Sequence, residues 1–271
     1  GEVRVNKGRA HVDTRLQSGD EVRIPPIRYT EKESEHSAPP LKLSEMPPIL
    51  FEDQNIMVVD KPAGMASHGG SGISYGLIER MRASRPELPF LELVHRLDRG
   101  TSGVLVLAKT RKALVRLHEM IREGEMHKTY QALVKGDWQN DRQHAKFPLF
   151  KYVTPSGERR VRVDPENGLP SHSIFRLKER FGPVSLVEVD LLTGRTHQIR
   201  VHAAELGFPL VGDEKYGDFA FNDEVAHGSL GVPFKRMFLH SGKICFHHPI
   251  TGEELEIEAP LPKDCVELIE V

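Results

Sequence analysis

The chain is poor in cysteine and makes no patterned use of it. Cys245 and Cys265 are its only two, twenty positions apart, with no CxxC pair and no metal-ligand spacing. That excludes a disulfide framework and a cysteine-held zinc or iron–sulfur site, and it fits a reduced, cytoplasmic protein. No apolar run approaches the roughly 20 residues of a membrane span, and no signal peptide is visible. Neither sign of charge is in excess: 37 Lys and Arg face 39 Asp and Glu, for a net charge of −2. A nucleic-acid partner could therefore be met only by a local basic patch, not by the field of the whole molecule.

Metal motifs are missing too, although the chain has 14 histidines. His197 and His202 are five apart and do not share a helix face, while the adjacent His247 and His248 would point to opposite sides of a strand. There is no HExxH and no carboxylate cluster, so no metal is expected. "SHGGSG" lacks both the GK[ST] ending and the GxGxxG frame, so no nucleotide cofactor is expected either. The first residue is Gly1 rather than Met, inside strand-like sequence. The natural N-terminal segment is expected to be absent.

What is present divides into three parts. Residues 1–27 alternate in short strands, with turns at Asn6-Lys7-Gly8 and Ser18-Gly19-Asp20, and hold too few apolar residues to fold alone. Residues 28–46 are charged, proline-rich and aperiodic, which is linker composition. The globular pattern occupies residues 47–271. Strands read over "ILFED", "NIMVVDKP", "HKTYQALVKG" and two hairpins, one about Phe181-Gly182-Pro183 and one near Thr251-Gly252. Helices read over "ISYGLIERMRASRPE", over "TRKALVRLHEMIREGEM" with Thr110 as N-cap and Gly124 near its end, and after "TGRTH", where Thr196 can cap and Gly207 can stop. Strands outnumber helices and several are hairpin-linked. The expected class is α+β with a largely antiparallel central sheet.

Three residues stand out chemically. In "HRLDRGTSG" an aspartate, Asp98, lies between Arg96 and Arg99 in the connection between two buried strands. The bland reading is a turn with a surface ion pair, which is worth little. The sharper one is an active-site carboxylate with cationic neighbours. In "LLTGRTHQIR", Arg195 sits at a helix start, where a cation opposes the helix dipole unless an anion offsets it. Asp98 would offset it and be oriented in return; Glu188 or Asp190 could do so on a mere surface. Tyr130 shares a strand face with Ala132 and Val134 and reads as core, although its hydroxyl needs a partner. One carboxylate, one arginine and one tyrosine, without metal or cofactor, limit the chemistry. Glycoside hydrolysis ordinarily takes two carboxylates. A lone aspartate can serve as nucleophile where the product needs no hydrolytic water, as in isomerisation of a nucleoside.

From Ile49 to the C-terminus the chain resembles the bacterial pseudouridine synthases that modify large-subunit ribosomal RNA. "DKPAG", "HRLDRGTSG", "KTYQALVKG" and "TGRTHQIRVH" match that family's motifs in order, and "HGGSGISYGLIERMRASRPELPFLELVHRLDR" is most like one subgroup, whose members isomerise several uridines. The resemblance implies the pseudouridine synthase fold, large-subunit ribosomal RNA as partner, and no cofactor. It implies Asp98 as nucleophile, Tyr130 as the residue that stacks on the base and helps remove the C5 proton, and Arg195 as the partner of Asp98. Arg96 matches the position that holds the flipped nucleotide's place, and Leu192 the position that packs on the base. Lys61 and Pro62 match a structural motif, with Lys61 also a candidate RNA contact. Lys109, Arg111, Arg159 and Arg160 are the local basics expected to meet phosphates. "VRVNKGRAHVDTRLQSGDEVRIP" resembles the latter part of a small S4-like RNA-binding domain. Two other readings remain: a non-catalytic RNA-binding assembly factor, and a sibling synthase acting on other ribosomal sites or on transfer RNA. A monomer is the expected state.

Overall fold

The computed structural model describes residues 3–10, 14–23, 38–70 and 74–270. Two compact units result, Gly1–Ser37 and Ala38–Val271. In the first, β1 (Arg4–Val5) pairs antiparallel with β2 (Gly8–Arg9) and β3 (Val22–Arg23). The Asn6–Lys7 turn has both residues at positive φ, and Asn6 ties it to the second turn through Asp20 Oδ1 at 2.7 Å and the Glu21 N–H at 2.9 Å.

The expected linker divides. Residues 28–37 lie outside the described residues, but residues 38–46 are packed, not free. Leu41 is buried, its N–H donates to Ser84 Oγ at 2.7 Å, and Glu45 pairs with Arg80 at 2.7 Å. Leu41 and Met46 are the apolar residues that a composition dominated by proline and charge had hidden.

The larger unit follows the α+β expectation. Its elements, in chain order, are β4 (Ile49–Glu52), β5 (Ile56–Lys61), α1 (Leu77–Ser84), β6 (Glu92–Leu93), β7 (Ser102–Ala108), α2 (Arg111–Glu123) and β8 (His127–Lys135). Then come β9 (Arg142–Ala145), β10 (Leu149–Val153), β11 (Arg159–Val163), β12 (Ser173–Arg180), β13 (Val184–Leu191) and α3 (Gln198–Glu205). Last are α4 (Phe219–Ala226), β14 (Leu239–His247), β15 (Glu254–Glu258) and α5 (Lys263–Ile269). Ten strands form one sheet in the order β4-β5-β7-β14-β8-β13-β12-β9, with β15 beside β14 and β6 beside β7. Every pairing is antiparallel except β7 with β14.

Strands β5 and β7 are buried on both faces, because both alternating sets of their side chains are apolar. Met57, Val59, Leu105 and Leu107 face one core with Leu77 and Met81 of α1. Ile56, Val58, Val104 and Val106 face the other, with Ala113, Leu117 and Met120 of α2. Thr110 caps α2 by accepting the Ala113 N–H, and Gly124 closes it in the left-handed region at φ +76°. The stretch 142–163, which carries little periodicity, folds as edge strand β9 and the separate hairpin β10–β11.

The parallel contact positions the site. Ser102 and Gly103 pair with His240 and Ser241, and a Cβ on Gly103 would lie 2.2 Å from the Ser241 carbonyl oxygen. Only glycine permits that approach, at φ +110°. It draws the turn before β7 against β14, whose other edge carries β8.

Candidate active site

Asp98 lies in the connection from β6 to β7, facing a cavity of about 1330 Å³. The connection is held from both sides. Ser67 is buried, and its hydroxyl donates to the Leu97 carbonyl at 2.8 Å and accepts the Leu97 N–H at 3.1 Å. Arg99 donates from Nε to the Gly64 carbonyl at 2.9 Å, while the Gly64 N–H donates back to the Arg99 carbonyl at 2.7 Å. Arg96 points outward, with Nη1 2.7 Å from His68 Nε2. Neither flanking arginine is recorded pairing with Asp98, so the surface-ion-pair reading of this turn fails.

The partner of Asp98 is Arg200. Its Nη1 donates to Asp98 Oδ2 at 3.0 Å, and Nε and Nη2 form a two-pronged contact with Asp213, both at 2.7 Å. The Asp213 side chain is fully buried and also accepts the N–H groups of Lys215 and Tyr216. Burial acts against its charge, but the Arg200 guanidinium and these donors hold its carboxyl below the usual range. Arg200 is raised in turn by the two carboxylates despite burial, and its guanidinium lies 5.1 Å from the Tyr216 ring centroid.

The Arg195 expectation is therefore corrected. Arg195 is exposed, and its Nε donates to the Pro170 carbonyl at 3.2 Å. Helix α3 begins one residue later than Thr196 would set it, with His197 at the N-cap in the left-handed region, φ 54°. Residues three apart on a helix share a side, so His197 and Arg200 both face Asp98. His197 Nε2 is 3.9 Å from Asp98 Oδ2, and its Nδ1 meets the Tyr216 hydroxyl at 2.7 Å. That hydroxyl accepts the Val161 N–H of β11 at 2.9 Å. Burial pushes His197 down and Asp98 opposes it, with the net shift downward. Buried Gln198 anchors the loop before the helix. Its amide oxygen accepts from Thr193 Oγ1 and the Arg195 N–H, and its amide nitrogen donates to the His172 carbonyl and Ser173 Oγ.

Tyr130 comes from β8, directly opposite Ser241 of β14, whose side chain is its hydrogen-bond partner. Burial pushes the phenol up to about 12, with the Asp98 charge adding to the rise and Ser241 opposing it. Tyr130 is thus a neutral phenol at neutral pH, in the same cavity as Asp98.

Of the expected RNA contacts, Arg96, Arg159 and Arg160 line the cavity. Others are corrected. Lys61 is fully buried, with Nζ donating to the Pro62 and Met65 carbonyls at 2.9 and 2.7 Å, and cannot meet RNA. Burial pushes it down to about 7, with the charge of Asp98 opposing the shift. Lys109 is committed to Glu52 at 2.7 Å and to the Asp53 carbonyl. Arg111 is exposed at the start of α2, away from the cavity wall. The β13 register sends Leu191 into the cavity and leaves Leu192 outside it, 47% exposed.

The cavity wall carries eleven Lys and Arg against three carboxylates, Glu79, Glu92 and Asp98. A chain of net charge −2 has gathered a basic cleft around one aspartate. Among the described residues no cluster of three or more His, Cys, Asp or Glu could hold a metal, and no helix is long and apolar enough to cross a membrane.

Comparison with known proteins identifies the family. The family profile described as RNA pseudouridylate synthase matches residues 55–205, more than half of the chain. The chain belongs to that family. The Salmonella typhi protein named Ribosomal large subunit pseudouridine synthase C is 50% identical over all of this chain and 85% of its own length. The Escherichia coli K12 protein of that name is 51% identical over 96% of this chain and 82% of its own. Among solved structures, the human RNA Pseudouridylate Synthase Domain Containing 1 matches with a TM-score of 0.65 and 28% identity, covering 81% of this chain and 85% of that one. The chain is an RNA pseudouridine synthase with the pseudouridine synthase fold.

Proposed function

We propose that this synthase isomerises specific uridines of large-subunit ribosomal RNA, with Asp98 as nucleophile and no cofactor. The supporting observation is one carboxylate, Asp98, held by Arg200 and sharing a basic cavity with Tyr130. The names of the bacterial relatives supply the RNA class.

The geometry suits the reaction. Uridine must leave its stack to reach Asp98, and exposed Arg96 beside the nucleophile is placed to occupy the vacated position. Asp98 attacks the ribose anomeric carbon or the uracil ring, the C1′–N1 bond breaks, and the detached uracil turns against Tyr130 and Leu191. C5 then joins C1′, N1 ends protonated, the C5 proton leaves to solvent, and the Asp98 bond breaks. No water is consumed, so one carboxylate suffices. While Asp98 is covalently engaged it carries no charge, which removes one cause of the high Tyr130 value and makes the phenol easier to ionise to the phenolate that could take the C5 proton. Residues 1–27 are read as belonging to a small RNA-binding domain, and the enzyme as a cytoplasmic monomer.

The test is tritium release from C5-labelled, unmodified large-subunit ribosomal RNA. Wild type should release tritium, and Asp98→Asn should bind RNA but release none. Turnover by Asp98→Asn overturns the nucleophile assignment; RNA binding without release by wild type would favour a binding factor.

A further inference from the structure

Lys128 is a charged residue of the cavity that no step of the reaction uses. It lies on β8 two positions before Tyr130, so both side chains leave the same face of the strand, about 6.6 Å apart along it. Both line the Asp98 cavity. Burial pushes the ammonium down to about 8, and no opposing charge offsets that shift. Among the described residues the Lys128 ammonium has no hydrogen-bond or ion-pair partner, and the side chain is half-buried.

The surroundings explain why nothing within the protein compensates it. Glu92, on the same cavity wall, is engaged by Arg82 at 2.5 Å. His95 is held neutral by burial, with the Lys128 charge acting in the same direction, and its Nε2 accepts the Val106 N–H at 3.2 Å. His118 is turned to the Val94 carbonyl at 3.1 Å. Asp190, on β13 opposite Thr129 of β8, is bound by Thr129 and Arg176. Arg122 of α2 lines the cavity as well and has no recorded carboxylate partner among the described residues. A desolvated cation without an acceptor is costly in a folded chain, and such groups concentrate where a ligand supplies the missing charge.

We propose that Lys128, with Arg122, which lines the same cavity, forms a phosphodiester-binding subsite that grips the RNA backbone next to the uridine held at Asp98. The inference rests on the reading that this cavity takes RNA. The carboxylates of this cavity are engaged elsewhere, Glu92 by Arg82 and Asp98 by Arg200, so the anion enters with the substrate, and the anion that a nucleotide chain carries is its phosphate. Lys128 thereby fixes how deep the backbone lies while Tyr130 and Leu191 contact the base. A purely structural lysine would behave differently. It would have acceptors in the protein, and its loss would weaken the fold.

The experiment compares wild type, Lys128→Met and Lys128→Arg on a short fragment of large-subunit ribosomal RNA that wild type binds. Dissociation constants are measured across salt concentrations, with thermal melting and C5-tritium release in parallel. Lys128→Met should bind about tenfold more weakly. The slope of log K against log salt should be shallower by about 0.7 to 0.9, one phosphate's worth. Its melting temperature should equal or exceed that of wild type, since a desolvated charge has been replaced by an apolar side chain. Lys128→Arg should keep most of the affinity. Replacing single phosphates flanking the uridine by neutral methylphosphonate should weaken wild type at one position and cost Lys128→Met nothing more there. Unchanged affinity and slope in Lys128→Met would overturn the subsite, as would methylphosphonate and Lys128→Met losses that multiply. A lowered melting temperature accompanying the loss of binding would assign a structural role instead. Wild type that binds but releases no tritium overturns the isomerase reading, while the salt slope and methylphosphonate comparison still decide the subsite.

Discussion

Replacing Arg200 by Met separates the arrangement seen here from the one expected at Arg195. Arg200 lies between two carboxylates, and its removal leaves Asp213 with a fully buried side chain and no cation. Stranding one member of a buried pair costs about 3 to 5 kcal/mol. The two backbone N–H donors that remain on Asp213 argue for the lower end, about 3 kcal/mol. For a unit of this size each kcal/mol lowers the melting temperature by roughly 2–4 °C, so a fall of about 6–12 °C is expected. Tritium release should disappear, because Asp98 loses the one arginine that contacts it among the described residues. Arg195→Met removes one exposed contact to a carbonyl, and its thermal effect should stay within about 1 kcal/mol. The double variant Arg200→Met, Asp213→Asn should recover much of the stability, since no buried charge is then left unpaired. Acid provides an independent check. In wild type Asp213 binds its proton less readily folded than unfolded, so its contribution is present at neutral pH and lost as pH falls through its depressed value. In Arg200→Met the order reverses, and the variant's deficit should shrink as the solution is acidified. Differential scanning and urea titration measure the stabilities, and the tritium assay measures the activity. An Arg195→Met that melts as low as Arg200→Met, or an Arg200→Met as stable and active as wild type, refutes the reasoning.

The other predictions are briefer. Lys61 has a folded value of about 7 against 10.5 for the free side chain, so the unfolded chain binds the proton more tightly, and the stability deficit is full below about pH 7. Urea unfolding should show stability rising at up to about 1.4 kcal/mol per pH unit from about pH 7 towards 10, and a flat profile would show that the lysine is not desolvated. Gly103→Ala places a Cβ 2.2 Å from the Ser241 carbonyl at φ +110°, so β7 and β14 must separate, at a cost of at least about 2 kcal/mol with loss of tritium release. Wild-type melting and activity in that variant would show that the strands tolerate a wider spacing.

Much of the fold could be read in advance because local chemistry and tertiary packing agree. Thr110 and Gly124 bracket α2 as capping rules require, and the apolar alternation in β5 and β7 left few options but two buried faces. The hairpin β10–β11 was unreadable for the opposite reason. Its strands "LFKYV" and "RRVRV" carry few core residues, and cations fill the positions where alternation would show. Helices α4 and α5 went unread as well: each is one short element resting a single apolar edge, Val225 in one and Cys265 with Leu268 in the other, on a small separate core. The linker misled by composition, since prolines and charges outnumber the two apolar residues that pack residues 38–46 onto the larger unit.

At the site, the error over the arginine has a definite physical source. Position 195 was weighed by its place at a helix start, where only the dipole enters, and that term is worth less than a kcal/mol on a surface. Burial carries far more. Helix α3 reads Gln198, Ile199, Arg200, Val201, His202, Ala203, all buried, so it is covered on every side. A guanidinium inside such a helix must have a carboxylate waiting on a neighbouring element. Among the described residues two do so, one of them Asp213 in "VGDEKYG", a stretch that carries no motif to single it out. Asp213 neutralises the arginine, and the third donor is left to aim at Asp98. The same rule, applied to half-buried Lys128, finds a cation on the cavity wall and no carboxylate partner among the described residues. Arg200 has its counter-charge within the fold; that of Lys128 has to arrive from outside.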